Sequence, residues 1–299
     1  MSRARRFVTA DVFTQRCFGG NPLAVVLDAE ELTSEQMQSI AREFNYSEST
    51  FVLPAENGGD YKVRIFTPSA EVPFAGHPNI GTAVVLAAQG LLPETGRFVF
   101  EEQAGNVPVA VTGSNEQGWS AELTAPEPLM RGQTFDPALI ADILSVPVSA
   151  ICTDAHLPQQ CSVGLPFVLV ELASLDALQQ VVVNPQHLEQ LSELTNDPFL
   201  HVYVRSDDNV DIRTRMFAPT DGIPEDPATG SANCALAALL ADLDAENDGQ
   251  YKYRIAQGVE MGRPSELLAS VEKHNGILTA VRIAGNTVVF SHGMLVGAG

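Results

Sequence analysis

The chain is poor in basic residues, and poor in charge altogether. Its 17 Lys and Arg stand against 37 Asp and Glu, a formal net charge of −20, and charged residues make up only 18% of 299. So few cations exclude nucleic acid as the main partner, because binding a phosphate backbone takes clustered Lys and Arg. They equally exclude docking on an anionic membrane surface. With 45% hydrophobic residues the chain has material for a large core, and the low charge fraction does not fit a disordered segment. The acidity keeps such a protein in solution. Long apolar runs are missing too. The longest, at 83–88 and 234–241, fall well short of the ~18 residues of a membrane span and read as buried helix segments. The start, MSRARRF, is basic like a signal peptide, but Thr9, Asp11, Thr14, Gln15 and Arg16 follow where an apolar stretch is needed, so no targeting signal is read.

Several chemical signatures are absent. The four cysteines, Cys17, Cys152, Cys161 and Cys234, are irregularly spaced with no CxxC, which reads as reduced thiols in a cytoplasmic protein. The six histidines show no HxH or HExxH spacing, so no metal is expected. Ser231, His77 and Asp226 supply the residue types of a serine hydrolase, but the Gly-x-Ser-x-Gly elbow is lacking. Gly19-Gly20-Asn21 precedes its strand instead of following it, which argues against a dinucleotide site.

What the chain does have is an internal echo. Its length suggests two domains, at ~100–200 residues each. Gly20-Asn21-Pro22 leads into an apolar run of strand length, and so does Gly164-Leu165-Pro166. A helical stretch follows each. In the first half it covers 33–44, where Thr33 and Gln36 fit a capping box and Met37, Ile40, Ala41 and Phe44 form one stripe. In the second half it covers 174–194 and should break in two at Asn184-Pro185. Two strands come next in each half. Arg64-Ile65-Phe66-Thr67-Pro68-Ser69 matches Arg215-Met216-Phe217-Ala218-Pro219-Thr220 position by position. Then Gly76-His77-Pro78-Asn79 and Gly230-Ser231-Ala232-Asn233 each open an Ala-rich helix, and Gln103 near Gly105 echoes Gln257-Gly258. The offsets only rise, from 144 (Gly164 against Gly20) through 151 (Arg215 against Arg64) to 154 (Gly230 against Gly76), as one duplication with small insertions would give. We therefore expect an α/β protein of two similar halves, 1–129 and 130–286, meeting near 126–132. A return of the last strand, near 287–299, to the first half would bring the termini together.

A duplicated fold commonly carries its pocket between the halves. Each Gly-containing turn would present a helix N-terminus, whose free N–H groups suit a carboxylate. Both turns also read simply as good helix starts, with Ser231 and Asn233 as capping types and Pro78 in a first turn. His77 sits on the first turn, and Glu225, Asp226 and Ser231 flank the second. Glu48 is read in a loop, 45–50, before a strand. A lone loop Glu is ordinarily solvated, so composition and spacing do not single it out.

The stretches FGGNPLAVVLD (18–28), NYSESTFVLP (45–54), RIFTPSAEVPFAGHPNIGTA (64–83), DPATGSANCALAA (226–238) and QGVEMGRPS (257–265) resemble the PhzF-like proteins of the phenazine-biosynthesis family, which share the diaminopimelate-epimerase fold. The resemblance implies two pseudo-symmetric halves, each a barrel-like sheet around a central helix, a homodimer and no cofactor. It places the acid/base carboxylate on Glu48, further active-site positions on His77, Asp226 and Ser231, and the pocket turns on Gly76 and Gly230. It implies an isomerase that moves a proton between carbons of a small anionic, unsaturated metabolite, as in isomerisation of trans-2,3-dihydro-3-hydroxyanthranilate. A carboxylate can carry such a proton if burial or a neighbouring carboxylate tunes it. His77 could donate a hydrogen bond where charge develops. Racemases of the same fold use one cysteine at each turn. Neither turn here has one, and Cys234 falls inside the following helix. The rival reading is a metabolite-binding or interaction protein that keeps the fold without catalysis.

Overall fold

The computed structural model describes residues 4–297. Contacts divide the chain into two compact units. One holds the residues up to Thr124 together with those from Ala284 on, and the other is Ala125–Ile283.

The first unit opens with β1 (Arg5–Val12), β2 (Asn21–Val26), α1 (Ser34–Phe44), β3 (Glu48–Pro54), β4 (Tyr61–Phe66), the short β5 (Glu71–Val72) and α2 (Gly76–Ala88). It continues with β6 (Arg97–Glu102), β7 (Gly105–Ser114) and β8 (Gly118–Thr124). The second unit comprises β9 (Met130–Thr134), α3 (Pro137–Leu144), β10 (Gln159–Ser162), β11 (Pro166–Glu171), α4 (Leu175–Gln180), α5 (Pro185–Leu194), β12 (Leu200–Arg205), β13 (Ile212–Ala218) and β14 (Ile223–Asp226). After them come α6 (Gly230–Leu243), β15 (Gly249–Gln257), β16 (Ser265–His274) and the first part of β17 (Ile277–Leu295), whose residues from Ala284 on belong to the first unit.

In the first unit eight strands close a ring in the order β17, β1, β2, β3, β4, β6, β7, β8 and back to β17. Closure abolishes the exposed edges an open sheet would leave. Two of the pairs, β2–β3 and β4–β6, are parallel. Parallel neighbours need a crossover, and those crossovers carry α1 and α2. The second unit repeats the succession as β9, β10, β11, β12, β13, β15, β16, β17, again with the pairs beside its crossovers, β11–β12 and β13–β15, parallel.

Each unit wraps one helix. From Gly76 to Ala87 every residue of α2 is buried, and α6 is buried from Gly230 to Ala241 apart from Ser231. A helix apolar on every face belongs inside a core. α2 packs against β1, β2, β3, β7 and β8, and α6 against β10, β11, β15 and β16. By contrast α1 buries one stripe, Met37, Ile40 and Ala41, and its Thr33–Gln36 capping box is formed. The stretch 174–194 breaks into α4 and α5, each with its own side-chain cap, from Ser174 and Asn184.

The RIF and RMF echoes have a matching physical content. Arg64 forms a two-pronged pair with Glu71 (2.7 and 2.6 Å), and Arg215 with Glu225 (2.8 and 2.9 Å). Each guanidinium also lies over a ring two residues on, 5.1 Å from Phe66 and 4.9 Å from Phe217.

Gly20 forms the turn into β2 at φ +63, and a Cβ there would lie 2.2 Å from the Val12 carbonyl oxygen. No side chain can relieve a clash with backbone. Gly20→Ala is therefore expected to cost about 2 kcal/mol or more, measured by urea unfolding, because it adds that clash to a left-handed φ.

Candidate active site

Glu48, Gly76 and His77 lie in the first unit. Glu48 is not in a loop: it is the first residue of β3, opposite Leu23 of β2. The sequence misplaced it because the polar run Asn45–Ser49 hides a strand whose apolar residues begin only at Phe51. Gly76 and His77 are the first two residues of α2, which starts after Ala75 without a side-chain cap. The structure brings Glu48 and His77 together, with His77 Nδ1 3.5 Å from Glu48 Oε2. Both side chains are largely withdrawn from solvent, at 5% exposure for His77 and 15% for Glu48.

Asn21, which the sequence left unassigned, completes this group. Its side-chain nitrogen lies 3.3 Å from His77 Nδ1. It is fully buried as the first residue of β2, directly after the Gly20 turn. Burial pushes the His77 imidazole down to about 3, against the opposing effect of the Pro22 backbone carbonyl. His77 is therefore neutral at ordinary pH, with one N–H to donate and one nitrogen to accept.

Asp226, Gly230 and Ser231 lie in the second unit, on the turn from β14 into α6. Asp226 is the last residue of β14 and is buried. Its Oδ2 accepts a hydrogen bond from Thr229 Oγ1 at 2.5 Å. Gly230 and Ser231 are the first two residues of α6. Ser231 is not the cap, since the residue before the helix is Thr229. As at any helix start, the first-turn N–H groups lack intrahelical acceptors.

This turn is fastened by Gln257, which is fully buried at the end of β15. Gln257 Nε2 donates to the Asp226 carbonyl (2.8 Å) and to Thr229 Oγ1 (3.0 Å). Its Oε1 accepts from Thr229 N (3.1 Å) and from Asn233 Nδ2 (2.8 Å). Asn233 also donates to the Thr229 carbonyl (2.9 Å), and its oxygen lies 3.2 Å from His201 Nε2. Ser265 Oγ donates to the Pro227 carbonyl at 2.8 Å. Gly258, at φ +71, sits where a Cβ would be 2.5 Å from that same oxygen. The stretch 257–265 thus braces the Asp226 turn, a role that the Gln-Gly pair signalled only weakly.

Two of the thiols, those of Cys161 and Cys234, are poor nucleophiles. Burial pushes Cys234 up to about 12, and Cys161 to about 12 as well. Neither is a thiolate near neutrality. Among the described residues no group of three or more His, Cys, Asp and Glu could hold a metal ion, and no helix is long and apolar enough to cross a membrane.

With this geometry in place, comparison with known proteins is informative. The family description of phenazine biosynthesis-like proteins matches residues 10–293. The chain is 38% identical to a trans-2,3-dihydro-3-hydroxyanthranilate isomerase of Pseudomonas fluorescens, over 97% of this chain and 99% of that protein. It is also 38% identical to an uncharacterized isomerase of Mesorhizobium japonicum, over 98% and 99%. A crystal structure of a PhzF-family phenazine biosynthesis protein from Bacillus anthracis superimposes with a TM-score of 0.89 at 25% identity, covering 99% of this chain and all of that one.

Two outcomes follow from the site. Below the ordinary histidine value of 6.5 the unfolded chain binds a proton that folded His77 refuses. Stability from this residue is thus fully present above pH 6.5 and is lost as pH falls toward about 3. His77→Asn is expected to show a shallower loss of stability between pH 6.5 and about pH 4 than the wild type, read by urea unfolding at several pH values. Gln257→Leu leaves Thr229 N, Asn233 Nδ2 and the Asp226 carbonyl without their partner. The expected cost is about 3 kcal/mol, measured by chemical unfolding.

Proposed function

The chain belongs to the phenazine biosynthesis-like protein family, and from that premise we propose that it is a cofactor-independent isomerase using acid/base proton transfer. Its substrate is a small carboxylate-bearing unsaturated metabolite resembling trans-2,3-dihydro-3-hydroxyanthranilate, on which a Pseudomonas fluorescens relative is named to act. The observation that carries the reading is the pair at the start of α2: a carboxylate, Glu48, 3.5 Å from a histidine that burial keeps neutral.

Moving a proton between two carbons needs one group that both removes it and returns it. Glu48 takes the proton from a saturated carbon next to the double-bond system. The electron pair shifts along that system, and the carboxyl delivers the proton at its far end. His77, held between Asn21 and the Pro22 carbonyl, sets a neutral imidazole beside Glu48. Asp226 and Ser231, with the Gly76 and Gly230 turns, are carried as further proposed site positions, each turn opening a helix N-terminus suited to a carboxylate. We read the two units as copies of one ancestral unit. We read the protein as cytoplasmic, to which four free cysteines are suited, and as a homodimer on the family resemblance alone.

Glu48→Gln is expected to reduce turnover by about 10³-fold or more while ligand affinity changes little, since the amide keeps the shape and loses the base. Solvent-deuterium incorporation into trans-2,3-dihydro-3-hydroxyanthranilate, followed by mass spectrometry, reads the step directly. Exchange by the wild type and none by the variant supports the reading. Binding without exchange in both assigns the chain to metabolite binding alone.

A further inference from the structure

The acid/base reading makes no use of Glu102, the last residue of β6. Both its carboxyl oxygens are buried, and the polar side chain that acts on them is that of Asn79. An ionised carboxylate in such a place would be costly.

Strand register shows which position this is. In the first unit Lys62 of β4 lies opposite Glu101 of β6. In the second, Arg213 of β13 lies opposite Ala256 of β15, and Thr214 opposite Gln257. Lys62 and Arg213 stand two residues before the matched Arg64 and Arg215, so Glu102, not Gln103, occupies the slot of Gln257. The helix starts agree. Asn79 Nδ2 donates to the Ala75 carbonyl at 3.0 Å, as Asn233 Nδ2 does to the Thr229 carbonyl. Asn79 is also the polar side chain that acts on Glu102.

Gln257 works because it is a donor at one end and an acceptor at the other. A carboxylate only accepts, whereas a carboxylic acid reproduces the amide, its carbonyl accepting and its O–H donating. Asn79 Oδ1, itself buried without a partner, lacks the donor that such an O–H would supply. We propose that Glu102 is kept as a neutral carboxylic acid and fastens the start of α2, doing for the turn that bears His77 what Gln257 does for the turn that bears Asp226.

The charge environment agrees. Burial pushes Glu102 up to about 8, with Asn79 pulling the other way. The titratable groups on the elements around it are otherwise engaged. On β4, Lys62 pairs with Glu56, Arg64 pairs with Glu71 of β5, and burial pushes the Tyr61 phenol up, which keeps it neutral. On β6 itself, Glu101 accepts backbone N–H groups of Glu56, Asn57 and Gly59, and Arg97 lies at the far, exposed end. β7 carries no titratable residue, and His77 of α2 is neutral.

Because the folded value is raised, the stability Glu102 supplies is full below the ordinary 4.5 and is lost as pH rises through about 8. Infrared difference spectra of wild type against Glu102→Gln at neutral pH are expected to show a protonated-carboxyl band that the variant lacks and that vanishes as pH rises through about 8. In buffers above that value Glu102→Gln should melt about 2–4 °C or more above wild type, since its amide cannot ionise. Glu102→Leu should melt below wild type at neutral pH, where Gln preserves the latch. No such band at neutral pH, or a Glu102→Gln protein melting below wild type in alkaline buffer, overturns the proposal. The link to His77 rests on the isomerase reading. A wild type that exchanges no deuterium sinks that reading and leaves the infrared and melting results to decide the latch.

Discussion

A helix buried on every side has nowhere to send the polar groups of its first turn except into the protein. α2 and α6 both face this constraint, α2 inside the closed ring of the first unit and α6 packed against β10, β11, β15 and β16. Neither helix has a capping side chain at the residue before it. The solution is the same in both units: an asparagine one turn in reaches back to the carbonyl of the residue before the helix. Its remaining groups then need partners from the surrounding strands. Gln257 and His201 supply them in the second unit, and the first places Glu102 against Asn79. A buried, unsatisfied polar group costs ~1–3 kcal/mol, so these positions are constrained by stability before any question of chemistry arises.

On this shared frame the two units place different side chains. Glu48 lies opposite Leu23, and the second unit's register puts Phe199 in the corresponding place, one residue before the Val168–Leu200 pair. Asp226 lies opposite Met216, and the matching residue, opposite Ile65, is Val72. His77 and Ser231 are both second residues of their helices. Each unit therefore offers one buried or half-buried carboxylate at a position where the other has an apolar residue. If both halves had kept both carboxylates, each unit would bury two, with added desolvation. Different residues at these few positions sit on one scaffold, because the Asn79 and Asn233 bonds to the carbonyls before the two helices do not involve their side chains.

Much of the frame could be read from the chain because its signals are local. Gly-x-Pro turns, the Thr33 capping box and the Asn184-Pro185 break act within a few residues, and each appears where expected. The paired Arg-x-Phe segments were legible because both copies keep the same ion pair and ring contact. Less local facts were hidden. Glu48 reads as a loop residue because its strand is recognised by apolar alternation that starts later. Asn21 looks like one more turn former, since its contact with His77 spans 56 residues. Gln257 was matched to Gln103 by identity, whereas register equates it with Glu102. Similar letters one position apart are decisive in a strand, where a shift of one residue turns every side chain to the other face.

The neutrality of His77 is more than a result of burial. On the proposed reading, a cation 3.5 Å from Glu48 would oppose the transfer of a proton from the substrate onto that carboxylate, because the positive charge would favour the carboxylate over its protonated form. A neutral imidazole would leave the proposed base, Glu48, free to alternate between base and acid. Keeping the ring neutral requires a dry surrounding, and that dryness comes from the same all-round burial of α2 that forces Asn79 and Glu102 into the interior. Core packing and proton chemistry thus share one cause. A change that admits water at the start of α2 would loosen the helix and at the same time let His77 charge, so the proposed isomerase reading couples stability and turnover through that single turn.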